Sequence, residues 1–204
     1  ITDTHLKDNH NFDPTIWMVE KACDDENPDI VMLTGDIVLN CDSAEDTKKL
    51  INALMNVFDS RNIPVAVTFG NHDSEQGAMS REELMAYYNT FSCSVSVDDG
   101  ETLSGCGTYN IPVISSDGEN VKFNLWVFDS GDYDEEGRYS CVKPDQIEWY
   151  KQTSDALKKE NGGEAVNSLV FQHIIVGEIY DVLQKSDSRK SYSYKHLYNE
   201  DEYY

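Results

Sequence analysis

The chain is short of positive charge. Sixteen lysines and arginines stand against 38 aspartates and glutamates, a formal net charge of -22 over 204 residues. A field of that sign repels phosphate polymers and anionic lipid surfaces, and no basic stripe offsets it, so nucleic acid is not an expected partner. A small phosphate ester is not excluded, because bound cations reverse the sign locally. Most of the acids read as solvated surface. No run of 18 apolar residues occurs, which excludes a membrane-spanning helix. No secretory signal is visible, but the chain opens at Ile1 without a methionine, so its compartment stays unassigned. Internal repeats are absent. None of the five cysteines forms a CxxC pair, which argues against a zinc knuckle or a thioredoxin-like redox site. Cys93 and Cys106 flank a Ser/Gly/Asp-rich stretch and are the candidate disulfide pair, with simple buried thiols the expected state.

What is present is a globular composition, 39% hydrophobic and 26% charged, in a length that suits a single domain with a core. Apolar periodicity alternates along it. "PTIWMVEKACDD" (14–25) has helical spacing, with proline at the start where its missing N–H costs nothing. "DIVMLTGD" (29–36) is a short strand. "SAEDTKKLINALMNVFDSR" (43–61) is an amphipathic helix with a serine cap and early acids. "IPVAVTFGNHD" (63–73) is a strand, and Ser80 with Glu83 makes a capping box for the next helix. "GTYNIPVI" and "VKFNLWVFD", joined by "SSDGEN", form a hairpin. Residues 143–161 form a proline-led helix, and "NSLVFQHIIV" is a last buried strand. Residues 186–204 are polar and tyrosine-rich, without a period, and read as a loop or insertion. Strand–helix alternation with one hairpin implies an α/β fold.

The strand ends carry the chemistry. The first piece, "ITDTH", ends in Asp3 and His5; the second strand ends in Gly35-Asp36; the third in Gly70-Asn71-His72-Asp73; the last in Gln172-His173. Turn chemistry alone explains a Gly-Asn-x-Asp run. In α/β sheets, however, ligands bind beyond the carboxyl ends of the strands, which places all these groups on one rim. They are oxygen and nitrogen donors suited to divalent transition metals. Asp3 and His5, two apart on extended chain, point the same way and suit one ion. Asp36 suits a bridge to a second ion held by Asn71 and His173. Two such cations clamp a phosphoryl group and hold a bridging hydroxide as nucleophile. His72 is then the general acid, with Asp73 orienting its imidazole.

"DTH", "GD" and "GNHD", followed much later by a strand ending in histidine, resemble the calcineurin-like metallophosphoesterases, over about residues 1–183. "FDSGDY", "KPDQIEWY" and "FQHIIVGEIY" resemble the branch related to purple acid phosphatases. The resemblance implies two packed mixed β-sheets flanked by helices, and hydrolysis of a phosphate monoester or diester, on a small molecule or a protein. It implies two divalent cations (manganese, iron or zinc) on Asp3, His5, Asp36, Asn71 and His173, with His72 catalytic. Two departures stand out. The tyrosine that gives purple acid phosphatases their colour is missing, since Ile37-Val38-Leu39-Asn40 follows Asp36. The family's Gly-His-x-His motif is also missing: after His173 only His196 remains. The chain therefore reads as incomplete at both ends. The rival reading is a non-catalytic binding or scaffold protein with a degraded metal site. Oligomeric state is not legible. His10 and His196 read as loop residues, Asp129 and Asp132 as turn residues, and Trp17, Trp126 and Trp149 as core.

Overall fold

The computed structural model describes residues 1–9, 11–39, 41–75, 78–97, 102–177 and 179. His10, His196 and the 186–204 segment lie outside them. The chain divides into two compact units, Ile1–Ile174 and Ile175–Tyr204. In the second, the Ile179 N–H donates to the Val176 carbonyl at 3.2 Å.

The first unit holds every named element: α1 (Phe12–Glu26), β1 (Val31–Thr34), α2 (Ala44–Asp59), β2 (Val65–Thr68), α3 (Arg81–Tyr88), β3 (Tyr109–Ile114), β4 (Val121–Val127), α4 (Pro144–Glu160) and β5 (Asn167–Phe171). Local chemistry sets the helix starts. The Ser43 hydroxyl accepts the Asp46 N–H at 3.1 Å and opens α2. Ser80 and Glu83 exchange the two bonds of a capping box at α3. The Gln146 side chain accepts the Lys143 N–H at 2.5 Å, ahead of Pro144 in α4. Helix α2 buries Leu50, Ile51, Leu54, Met55 and Phe58, a stripe that recurs every three to four residues.

Strands β1 and β2 pair in parallel, Val31 opposite Val65 through Thr34 opposite Thr68. All four residues of β2 are buried, which is why it reads as an unbroken apolar run. The opening segment lies along the exit of β1. The Thr34 N–H donates to the Ile1 carbonyl at 2.9 Å, Asp3 N–H to Gly35 at 3.1 Å and His5 N–H to Asp36 at 3.0 Å. The second sheet has the order β3-β4-β5, with β3 antiparallel and β5 parallel to β4. The two sheets join through Tyr109. Its hydroxyl donates to the Val67 carbonyl and accepts the Val67 N–H, both at 2.9 Å. Ala66, Tyr109 and Val127 form the apolar contact beside it.

The architecture is thus α/β, with two sheets flanked by helices. Three expectations change. Among the described residues only the second sheet is mixed; the first is a parallel pair. Strand β5 is not buried: Leu169 is 55% and Val170 53% exposed. Among the described residues it pairs with β4 alone, and an edge strand with uncovered faces keeps its apolar side chains in solvent. Trp17 is also exposed on α1, whereas Trp126 is core and Trp149 packs on it edge-on at 5.6 Å. Cys93 and Cys106 are buried thiols, not a disulfide.

Candidate metal centre

Because β1 and β2 are parallel neighbours in register, their carboxyl ends lie side by side, and the loops that follow them touch. Two glycines permit that contact. A Cβ on Gly35, whose φ is +96°, would lie 2.4 Å from the Gly70 nitrogen. A Cβ on Gly70 would lie 2.1 Å from the Asp36 Oδ1. A Gly70→Ala substitution is therefore expected to push the two loops apart and destabilise the fold by about 1–3 kcal/mol. Urea unfolding checks this; an unchanged midpoint would show that the loops do not need the close approach.

Asp36 sits at this crossing, only 3% exposed. Its Oδ1 accepts the His72 N–H at 2.9 Å, and its Oδ2 lies 3.2 Å from the Nε2 of both His5 and His173. Burial pushes the Asp36 carboxyl up. The bonds from His173, the His72 amide and His5 outweigh it and hold the pKa at about 2. His173 shows the reciprocal shift: burial lowers its pKa, and Asp36 more than reverses that. The Nδ1 of His173 lies 2.9 Å from the Thr34 carbonyl, which in the neutral ring keeps the proton on Nδ1 and turns Nε2 toward Asp36.

This pair has a pH signature in metal-free protein. A depressed carboxylate pKa gives stability that is present above pH 3.8 and lost as pH falls toward about 2. A raised imidazole pKa gives stability that is present below pH 6.5 and lost as pH rises through the shifted value. Unfolding midpoints measured in chelator are therefore expected to fall on both sides of that window. Asp36→Asn should flatten both limbs; unchanged limbs would contradict the pairing.

Asp3 lies nearby, its Oδ1 3.9 Å from the His5 Nε2. Asp3, His5 and Asp36 all hold left-handed backbone, φ +53°, +45° and +53°. Such strain in non-glycine residues persists where surrounding structure enforces it, and it gathers at functional sites. Donor atoms of Asp3, Asp36 and His173 lie within 4.8 Å of one another, and so do those of His5, Asp36 and His72. Asp36 belongs to both groups. Asp3 and His5 also lie within that spacing of each other, 3.9 Å from Oδ1 to Nε2, so all five residues gather around Asp36. The Asn71 amide nitrogen donates to the Tyr133 hydroxyl at 2.8 Å, so its oxygen is the atom left to face a cation. Two carboxylates and three imidazoles grouped this closely fit divalent cations.

Asp73 requires a correction. It does not orient His72. Its carboxylate is buried and accepts four backbone amides: Asp36 and Gly70 at 2.8 Å, Ile37 at 2.9 Å and Val38 at 3.2 Å. Burial pushes its pKa up, against the Gly70, Val38 and Asp36 amides that favour the charge. The left-handed turn at Asp36 aims consecutive N–H groups inward as an anion nest, and Asp73 fills it. The His72 Nδ1 instead lies 2.5 Å from the Glu75 Oε2.

Sequence reading missed Glu75, Tyr133 and Arg81. Arg81 pairs with the buried Asp129 at 2.5 Å and donates to the Gly70 carbonyl at 2.9 Å. Asp129 also accepts the Cys106 and Gly131 amides, so it is structural. Asp132 accepts the Tyr133 N–H at 2.6 Å, as a turn residue does. The acid three residues after His72 was the one legible signal for Glu75.

Comparison with known proteins gives a consistent answer. A family model described as calcineurin-like phosphoesterase matches residues 1–198. Among curated proteins, "probable inactive purple acid phosphatase 28" of Arabidopsis thaliana is 28% identical, covering 82% of this chain and 46% of its own length. "Probable inactive purple acid phosphatase 29" of the same plant is 30% identical over 74% of this chain and 41% of its own length. "Phosphatase DCR2" of Saccharomyces cerevisiae is 27% identical over 84% of this chain and 31% of its own. The chain thus spans less than half the length of these relatives. A solved dimetal phosphatase from Danio rerio shares the fold, with a TM-score of 0.60 at 13% identity, over 85% of this chain and 68% of that one.

Proposed function

The chain belongs to the calcineurin-like phosphoesterase family, and from that premise we propose that it hydrolyses a phosphate monoester or diester with the aid of two divalent cations. Asp3, His5, Asp36, Asn71 and His173 would hold the cations, and His72 would act as general acid. The observation that carries the reading is Asp36: one buried carboxylate, 3.2 Å from two imidazoles, shared by both donor groups. A carboxylate common to both groups would help to hold an ion in each. What bound cations supply is Lewis acidity toward a phosphoryl oxygen and a more acidic water.

The chain's own residues do the rest. Asp73 locks the two loops against each other through four amides, which fixes where Asp36 points. The Thr34 carbonyl fixes the His173 ring. Tyr133 fixes the Asn71 amide. His72, anchored by its own N–H to Asp36, presents a ring nitrogen beside Asp36 and His5. From there it would protonate the leaving oxygen of the ester. The donor set suits manganese, iron or zinc. The substrate would be a small-molecule or protein phosphate ester. The charge of -22 speaks against a long polyanion.

The rival is a non-catalytic binding domain of the same fold, supported by the word "inactive" in the names of both Arabidopsis relatives. One assay separates the two: metal-stripped protein is given manganese, zinc or iron and a chromogenic phosphate ester. Turnover that appears only with metal is expected. No turnover with any metal, from folded protein, would leave the binding domain.

A further inference from the structure

The general acid needs a partner to hold its ring, and Asp73 is not that partner. We propose that Glu75 is the positioning residue for His72. This rests on reading His72 as the proton donor.

The geometry is local and complete. The His72 Nδ1 lies 2.5 Å from the Glu75 Oε2, and the Glu75 N–H closes the turn on the His72 carbonyl at 3.4 Å. The spacing of three residues lets one turn bring carboxylate and imidazole together. The neighbouring carboxylates are committed elsewhere: Asp73 accepts four amides, and Asp36 Oδ1 takes the His72 backbone. Among the described residues, Glu75 is the one acid recorded in an ion pair with the His72 ring. The ring also stands edge-on to His5, with centroids 5.4 Å apart at 88°. The backbone N–H on Asp36 anchors the residue, and Nδ1 on Glu75 holds its ring. Nε2 is then the nitrogen left for the substrate oxygen. A carboxylate on Nδ1–H fixes which nitrogen carries the proton in the neutral ring and stabilises the charged ring before it gives the proton up.

The test uses Glu75→Ala and Glu75→Gln in the same protein, with two independent readouts. The first needs neither metal nor turnover. Nitrogen NMR of the neutral His72 ring in metal-free protein is expected to show the Nδ1–H form in the wild type and in Glu75→Gln, whose amide oxygen still accepts. In Glu75→Ala the Nε2–H form should take over. An unchanged tautomer in Glu75→Ala overturns the proposal whether or not the protein is an enzyme. The second readout is kinetic. In metal-loaded Glu75→Ala, kcat is expected to fall about 10- to 100-fold, with KM and bound metal unchanged, the range seen when outer partners of site residues are removed. Adding Glu75→Ala to His72→Ala should cost nothing further. A further loss in the double variant would show that Glu75 acts on something other than His72. A wild type without turnover would defeat the phosphoesterase reading while leaving the tautomer result to decide on Glu75.

Discussion

Asp36→Asn is expected to abolish metal-dependent hydrolysis, lowering kcat/KM by about 10³-fold or more, well beyond the 10- to 100-fold typical of outer-shell partners. The reason lies in the position of Asp36. It is one of two carboxylates in the site and the group common to both donor clusters. Asparagine is nearly isosteric and keeps an oxygen to accept the His72 N–H, so the loop crossing should survive. It lacks the charge and the second carboxylate oxygen that the proposed cations would draw on. A folded protein, less stable by the share that the Asp36–histidine pairing contributes, with loss of both cations and of turnover, is therefore the combined result expected. Turnover within tenfold of the wild type would show that the buried carboxylate is structural and that the reaction centre lies elsewhere.

Asp73→Ala is expected to have the largest effect on the fold itself, at least about 3 kcal/mol of destabilisation. Four backbone amides from two loops donate to this one carboxylate. Each bond to a charged acceptor contributes about 1.5–3 kcal/mol, and a buried donor left without a partner costs about 1–3 kcal/mol. Water entering the vacated space recovers part of that sum. Set against the 5–15 kcal/mol that typically separates folded from unfolded chains, such a loss is severe. Asp73→Asn keeps one oxygen and should fall between alanine and the wild type. Chemical unfolding of the three proteins checks the order. Equal midpoints for Asp73→Ala and the wild type would refute the role of Asp73 as the anion that fills the nest.

The same residue marks where sequence reading stopped. The elements were legible because their causes are local. The stripe from Leu50 to Phe58, the Ser80–Glu83 box and the hairpin around the turn "SSDGEN" are each written within a few residues. The rim was legible too, because Asp3, His5, Asp36, Asn71, His72 and His173 each follow a strand-like piece. What each side chain touches was less so. Asp73 follows His72 directly, and adjacency suggested an acid–base pair. Three of its four partners, however, are amides 35 to 37 positions earlier, brought within reach by the left-handed turn at Asp36. Nothing in the order of residues announces that turn. Arg81 and Asp129 are 48 positions apart. The exposure of β5 was hidden for a different reason: an apolar run records a preference for burial, not the presence of a neighbour to supply it.

The proposed chemistry requires two cations around Asp36, and counting them is its most direct test. Metal-stripped protein would be equilibrated with manganese or zinc, separated from unbound ions, and its metal measured against protein concentration, beside Asp36→Asn. Two ions per chain in the wild type and neither in Asp36→Asn is the predicted result. A folded wild type that retains one ion or none would contradict the two-cation site and with it the proposed chemistry.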